Sequence, residues 1–193
     1  MSDVTAIVRA IEALRRSHGR VVVGISGFGG AGKSTLARAL VSEITESTRL
    51  RGDDFLDPAR SHRRSVDWDG VDRLRMRHQV IDPFRRGEPA TYRAWDWSTG
   101  APGEPRVLPD AGVLIVDAIG LFHPEMTECF DLAVWVDVDL PTAQRRGMHR
   151  DHLLGRDHDR LWNEVWVPND RDFARVFAPM QAADLRYVPD DLR

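Results

Sequence analysis

Apolar residues recur at i, i+3, i+4 and i+7 through Val4-Thr5-Ala6-Ile7-Val8-Arg9-Ala10-Ile11-Glu12-Ala13-Leu14, a period that predicts a helix closing near Gly19. Val21 to Ile25 is then apolar without alternation, as a central parallel strand must be when helices cover both faces. Lys33 to about Glu43 returns to the helical period, and Thr48 to Arg51 reads as a short strand running into Gly52-Asp53-Asp54-Phe55. Leu56 to Val66, with Pro58 and four arginines or histidines among polar residues, reads as a surface loop. Asp69 to Val80 is helical in period, with Pro83 expected to stop it and Arg85-Arg86-Gly87 forming a basic, glycine-capped end.

From Glu88 to Pro109, prolines and glycines alternate with Tyr92, Trp95 and Trp97. A disordered linker would not carry such aromatics, so a hairpin-like excursion is expected. Gly112 to Val116 is a second wholly apolar strand ending in Asp117, and Leu132 to Val136 is a third, ending in Asp137. Pro141 to Met148 opens a helix with proline in its first turn. The arginine-rich stretch Arg145 to Arg160 follows, then a helix running to about Ala174 and a short strand near Leu185 to Val188. Alternating strands and helices give an α/β fold, a parallel sheet with helices on both faces. The 193 residues fit one domain, 1–193, that buries roughly 70% of its unfolded surface, with an excursion at about 56–109.

Composition narrows the class. Hydrophobic residues at 42% and charged residues at 30% suit a globular protein, and no apolar run approaches a membrane span. A net charge of −3 offers no general attraction to nucleic acid or to an anionic membrane, so neither is expected as a partner. Met1 to Arg20 carries charges throughout and is unlike a secretory signal, and the lone Cys129 permits no internal disulfide; both point to the cytoplasm. Lys33 is the only lysine among 27 basic residues, which marks it as the position where a compact ammonium was kept.

Lys33 belongs to G-F-G-G-A-G-K-S, Gly27 to Ser34, followed by Thr35. Glycines at Gly27, Gly29, Gly30 and Gly32, with Ala31 between, let consecutive backbone N–H groups curl around phosphate oxygens. Lys33 adds charge toward the β/γ-phosphates, and the Ser34 hydroxyl stands where Mg²⁺ is ligated. The strand before and the helix after supply the context such a loop needs. A chain with this single lysine cannot hold the N-K-x-D guanine-reading motif, and Asp117 is followed by Ala118 rather than by the glutamate of transporter ATPases. Phosphoryl transfer to a small molecule needs a carboxylate to take the acceptor's proton and acidic help for Mg²⁺. Asp53, Asp54 and Asp117 are placed at strand ends to provide them.

Taken together, G-I-S-G-F-G-G-A-G-K-S-T, D-D-F, V-D-W-D-G-V-D, P-F-R-R-G-E-P, Y-R-A-W-D-W, L-I-V-D-A-I and R-R-G-M-H-R-D resemble, in order and spacing, the uridine kinase family of P-loop kinases over nearly the whole chain. The resemblance implies ATP and Mg²⁺, and a small-molecule acceptor, first the 5′-hydroxyl of uridine or cytidine. It implies that Asp53 is the general base, with Asp54 as the alternative, and that Asp117 helps Ser34 hold the metal. It implies that residues of about 145–160, including Arg145, Arg146, Arg150 and Arg156, form a lid over the triphosphate, with Arg150 also acting on the transferred phosphoryl and contacting substrate. Asp67 or Asp69 would hold ribose hydroxyls, and Trp95 would stack on a base or pack the hairpin. Other acceptors (nicotinamide riboside, pantothenate, glycerate, a sugar phosphate), a nucleotide switch without transfer, and a homo-oligomer stay open. His62, His78 and His123 lack metal-ligand spacing and read as surface groups.

Overall fold

A computed structural model describes residues 3–96 and 98–189; Trp97 lies outside the described residues. Helix α1 (Val4–His18) starts where the Asp3 carboxylate accepts the Ala6 N–H at 2.7 Å, and it buries Ile7 and Ile11. Strand β1 (Val21–Ser26) is buried along its whole length, and α2 (Lys33–Glu43) leaves the phosphate loop with no side-chain cap. β2 (Ser47–Arg51) runs into a 3₁₀ turn, Gly52–Phe55.

The next helical stretch departs from expectation at both ends. It begins at α3 (Arg73–Met76), because Asp72 accepts the Arg75 N–H at 3.0 Å and so caps the helix there. Pro83 does not stop it: a π turn, Arg77–Ile81, leads into α4 (Asp82–Arg86), which Gly87 then closes in the left-handed conformation. In that turn the Asp82 N–H bonds back to Arg77, five residues away. The widened ladder removes the clash a proline ring makes with a carbonyl four residues back.

The excursion is an antiparallel hairpin of β3 (Thr91–Asp96) and β4 (Ala101–Val107), with a register shift between Arg93 and Trp95. β5 (Val113–Asp117) and β6 (Leu132–Val136) return to the main sheet, where every one of their residues is buried. α5 (Leu140–Leu153) starts at Asp139, which accepts the Thr142 N–H at 2.9 Å. α6 (Asp159–Leu161), a second π turn at Trp162–Trp166 and α7 (Val167–Phe177) follow; this turn again precedes a proline, Pro168. β7 (Leu185–Tyr187) is the last element among the described residues.

The sheet is parallel throughout, in the order β2-β5-β1-β6-β7. Val23, Ile25, Ile115 and Val134 face α1 and α2 in one apolar layer, while Val22, Leu114, Val116 and Trp135 face α3, α4 and α7 in the other. The register pairs Asp117 with Ile25 on one side and Arg51 on the other, so the phosphate loop, Asp53 and Asp117 leave the sheet at one edge. Among the described residues, no helix is long and apolar enough to cross a membrane. The segment 56–66 is tied down rather than loose: Asp57 and Gly70 share a backbone bond, and the Trp166 indole donates to the Ser61 carbonyl at 2.9 Å.

Candidate active site at the phosphate loop

The loop's glycines answer to two different demands. Gly32 has φ +105°, a value L side chains rarely adopt, yet a Cβ there would meet nothing within 4 Å. Gly30 has φ +83°, and a Cβ there would lie 2.1 Å from the Ala143 carbonyl oxygen of α5, so α5 seats directly on the loop. Gly27, Gly29 and Ala31 complete the curl, with the Ala31 N–H donating to the Phe28 carbonyl at 3.0 Å. The Lys33 ammonium is buried and folds over the loop, donating to the Gly27 and Phe28 carbonyls at 2.8 Å each. Burial lowers its pKa, while the carboxylates of Asp170, Asp53 and Asp117 pull the other way and Arg150 adds to the lowering. Four charged groups from four segments thus act on one lysine.

Ser34 donates its hydroxyl proton to Asp117 Oδ2 at 2.8 Å, which leaves the Ser34 oxygen lone pairs facing away from that carboxylate. Asp117 is in turn gripped by Arg49, Nε to Oδ1 at 2.6 Å and Nη2 to Oδ2 at 2.8 Å. Hydroxyl plus carboxylate is a hard-oxygen donor set that suits Mg²⁺, a cation that keeps waters and takes phosphate oxygens for its remaining positions. With both Asp117 oxygens engaged, Ser34 is the side chain that could touch such an ion, and Asp117 would act by orienting its hydroxyl. Among the described residues no group of three or more His, Cys, Asp or Glu could hold a metal by itself. Thr35, at the start of α2, donates its N–H to the Gly32 carbonyl and shares its hydroxyl with Arg38.

The paired aspartates after β2 separate cleanly. Asp53 is exposed, with Arg51 at 3.7 Å, and its charge reaches Lys33. Asp54 is buried and accepts from Arg106 of β4 at 3.1 Å, so it anchors the hairpin. The third carboxylate at the loop is therefore Asp170, not Asp54. On α5, Arg150 reaches Lys33 electrostatically while bonding Asp151 through Nε and Nη2 at 3.1 and 2.8 Å. Burial pushes the Asp151 carboxyl up, but hydrogen bonds from Trp162, Arg150 and His158 outweigh it and hold it below the usual range. Arg145 bonds Thr142 on its own helix, Arg146 is half-buried, and Arg156 is exposed beyond the helix end, where its N–H caps the Asp151 carbonyl.

Beside the hairpin a cavity of about 740 Å³ opens between the Phe55–Ala59 segment, α3 and the hairpin. Strand alternation turns Thr91, Arg93 and Trp95 toward it, while Tyr92 stacks on Phe55 with ring centres 5.2 Å apart. Arg75 lies 4.4 Å above the Phe55 ring. Trp95 thus reaches the cavity, but Asp67 and Asp69 do not: Asp67 accepts from Ser65 at 2.7 Å, and Asp69 pairs with Arg63 at 2.9 Å. The lining carboxylates are Asp57 and Asp72. Asp72, the last residue of V-D-W-D-G-V-D, was within reach of sequence reasoning as the helix cap; Arg49 and Asp170 carried no motif signal.

No family profile matches the chain. It is 32% identical over 153 residues to uridine-cytidine kinase C of Dictyostelium discoideum, covering 74% of this chain and 34% of that protein. It is 25% identical over 171 residues to a uridine kinase of Saccharomyces cerevisiae, covering 80% of this chain and again 34% of the relative. The chain spans about a third of the length of both. A structure described as a possible uridine kinase from Bacillus stearothermophilus superposes with a TM-score of 0.75 over 95% of this chain and 96% of that one, at 17% identity, which shows a shared fold.

Proposed function

We propose, for a chain that belongs to the uridine kinase-like family of P-loop kinases, that it moves the γ-phosphoryl group of ATP onto a hydroxyl of a small metabolite, the 5′-hydroxyl of uridine or cytidine first. The observation that carries this is the division of labour among the carboxylates around Lys33. Asp117 is bound to Arg49 and Ser34, and Asp170 to Gly29 and Trp68, while Asp53 stays exposed and able to take a proton.

In this reading Asp53 accepts the acceptor's hydroxyl proton as that oxygen bonds to the γ-phosphorus and the bond to the β–γ bridging oxygen breaks, releasing ADP. The loop amides and Lys33 hold the phosphates, and Arg150, with Arg146 and Arg156 brought in as α5 closes, neutralises charge on the transferring group. Mg²⁺, when bound at Ser34, would supply charge neutralisation between the phosphates. Trp95 offers a flat apolar face in the cavity for a base. We read residues 1–193 as one kinase domain.

ADP release, measured with a panel of nucleosides and sugars against a control without acceptor, tests the reading. Release dependent on uridine or cytidine is expected. Release with nicotinamide riboside, pantothenate, glycerate or a sugar phosphate would move the acceptor, and acceptor-independent hydrolysis or none would replace the kinase by a nucleotide switch.

A further inference from the structure

Two consecutive polar residues in the first turn of α7 are buried, which is costly unless each is fully bonded. Asn169 is wholly inaccessible and Asp170 is 4% exposed. They reach in different directions. Asn169 Oδ1 accepts from the Arg64 guanidinium and from the Ser65 N–H at 2.9 Å, and its Nδ2 donates to the Arg63 carbonyl at 3.0 Å. Asp170 Oδ2 accepts the Gly29 N–H of the phosphate loop at 2.7 Å, and Oδ1 accepts the Trp68 indole N–H at 3.0 Å. One helical turn therefore holds the acceptor-side segment 63–68 and the phosphate loop together.

Both contacts are tight. A Cβ on Gly29 would meet the Trp162 ring at 3.2 Å and Asp170 Oδ2 at 3.5 Å. Trp68 is 2% exposed and holds φ +55°, a strained value for a bulky residue, with its carbonyl fixed by Arg73 Nη1 at 3.1 Å. Lys33 is the charged group that faces Asp170, and burial pushes the Asp170 carboxyl up to about 6. Near neutral pH the carboxylate is thus ionised at a cost, holding with negative charge an amide that a phosphate loop offers to an anion.

We propose that Asp170 is a positioning residue that couples the two halves of the site: a phosphate arriving at the loop competes with Oδ2 for the Gly29 amide, and the change passes through Oδ1 and Trp68 to the segment 63–68. This rests on the kinase reading only in that the loop must bind a nucleotide. Coupling of this kind requires an element with two arrangements that both sites bias; the structure shows Asp170 bonded to Gly29, and the proposal supplies the second, Asp170 released from it when phosphate takes the amide.

Hydrogen exchange of the full chain with and without Mg·ATP tests this. Addition of nucleotide should change exchange in 63–68, including the Ser65 amide, by about fivefold or more in the wild type. In Asp170→Asn and in Trp68→Phe, which keeps the ring and removes only the donor, nucleotide should still bind while that change disappears. A merely structural role would raise exchange evenly and leave the response to nucleotide in place. Nucleotide binding to the wild type with no change in 63–68, or a response retained in Trp68→Phe, overturns the inference and leaves the kinase reading standing. Failure of the wild type to bind nucleotide overturns both.

Discussion

Arg49 meets Asp117 side-on, with Nε and Nη2 each on a different carboxylate oxygen at 2.6 and 2.8 Å, and the Ser34 hydroxyl shares one of those oxygens. The pair ties β2 to β5 directly behind the phosphate loop. Side-chain exposures of 17% and 4% place it where solvent screens little, and the bond to Asp117 holds the Arg49 guanidinium above its usual range. Arg49→Met would leave a buried carboxylate without its ion-pair partner and with the Ser34 hydroxyl as its remaining side-chain hydrogen bond, and breaking a buried pair in this way typically costs about 3–5 kcal/mol. Urea unfolding should show a loss of about that size, and Asp117→Asn in the same chain should restore a part of it. Arg49→Lys keeps the charge but not the fork, and should fall between. A stability loss under about 1 kcal/mol in Arg49→Met would mean the pair is not a strong one.

Asp53 and Asp54 are adjacent in sequence and opposite in environment, so their amides should fail differently. Asp53→Asn is expected to lower kcat by about 10²- to 10⁴-fold with ATP binding retained. Asp54→Asn should instead loosen the hairpin by weakening the Arg106 bond, seen as a lower melting temperature and a raised acceptor KM. Full turnover in Asp53→Asn would transfer the base role elsewhere.

The sheet and the loop could be read from the chain because each is encoded locally. Three wholly apolar runs, Val21 to Ile25, Gly112 to Val116 and Leu132 to Val136, can only be central strands, and the glycines of Gly27 to Gly32 advertise the curl. The hairpin was readable for a related reason, since Tyr92 and Trp95 need surface to cover. What stayed hidden was long-range. Pro83 reads as a stop because sequence does not announce a π turn that absorbs it. Asp170 lies 141 residues from Gly29, and an aspartate inside V-P-N-D-R-D looks like any solvated carboxylate until α7 is folded onto the loop. Asp67 looked available in an acidic stretch, yet its neighbour Ser65 occupies it.

The buried Asp170 carboxyl also predicts a pH signature. Its pKa rises from 3.8 to about 6 on folding, so between these values the folded chain binds the proton that the unfolded chain releases. Its contribution is fully present below about pH 4 and is lost as pH rises through 6, on the order of 3 kcal/mol by pH 7. Asp170→Asn lacks this dependence. The stability of the variant relative to the wild type should therefore climb between pH 4 and pH 6.5 and stay level above, whatever its absolute value. Urea midpoints of the two proteins at several pH values check this, and a constant gap would contradict the raised carboxyl.

Trp95 separates recognition from packing. The indole lines the cavity by the hairpin from the same strand face as Thr91 and Arg93, whereas Ala94 is buried and Tyr92, stacked on Phe55, reaches the cavity from the core side. A residue that stacks on an acceptor's base contributes to ground-state and transition-state binding alike, so Trp95→Ala should raise acceptor KM about tenfold with kcat nearly unchanged. A residue that only packs the hairpin would lower the melting temperature and leave KM alone. Trp95→Phe distinguishes the two further, because a smaller flat ring retains most of a stacking interaction. Steady-state kinetics of the three proteins with the acceptor that supports turnover, alongside their melting curves, give both readouts. An unchanged KM in Trp95→Ala would remove the tryptophan from the acceptor site and leave Arg75, Arg93 and Asp72 as the cavity's recognition groups.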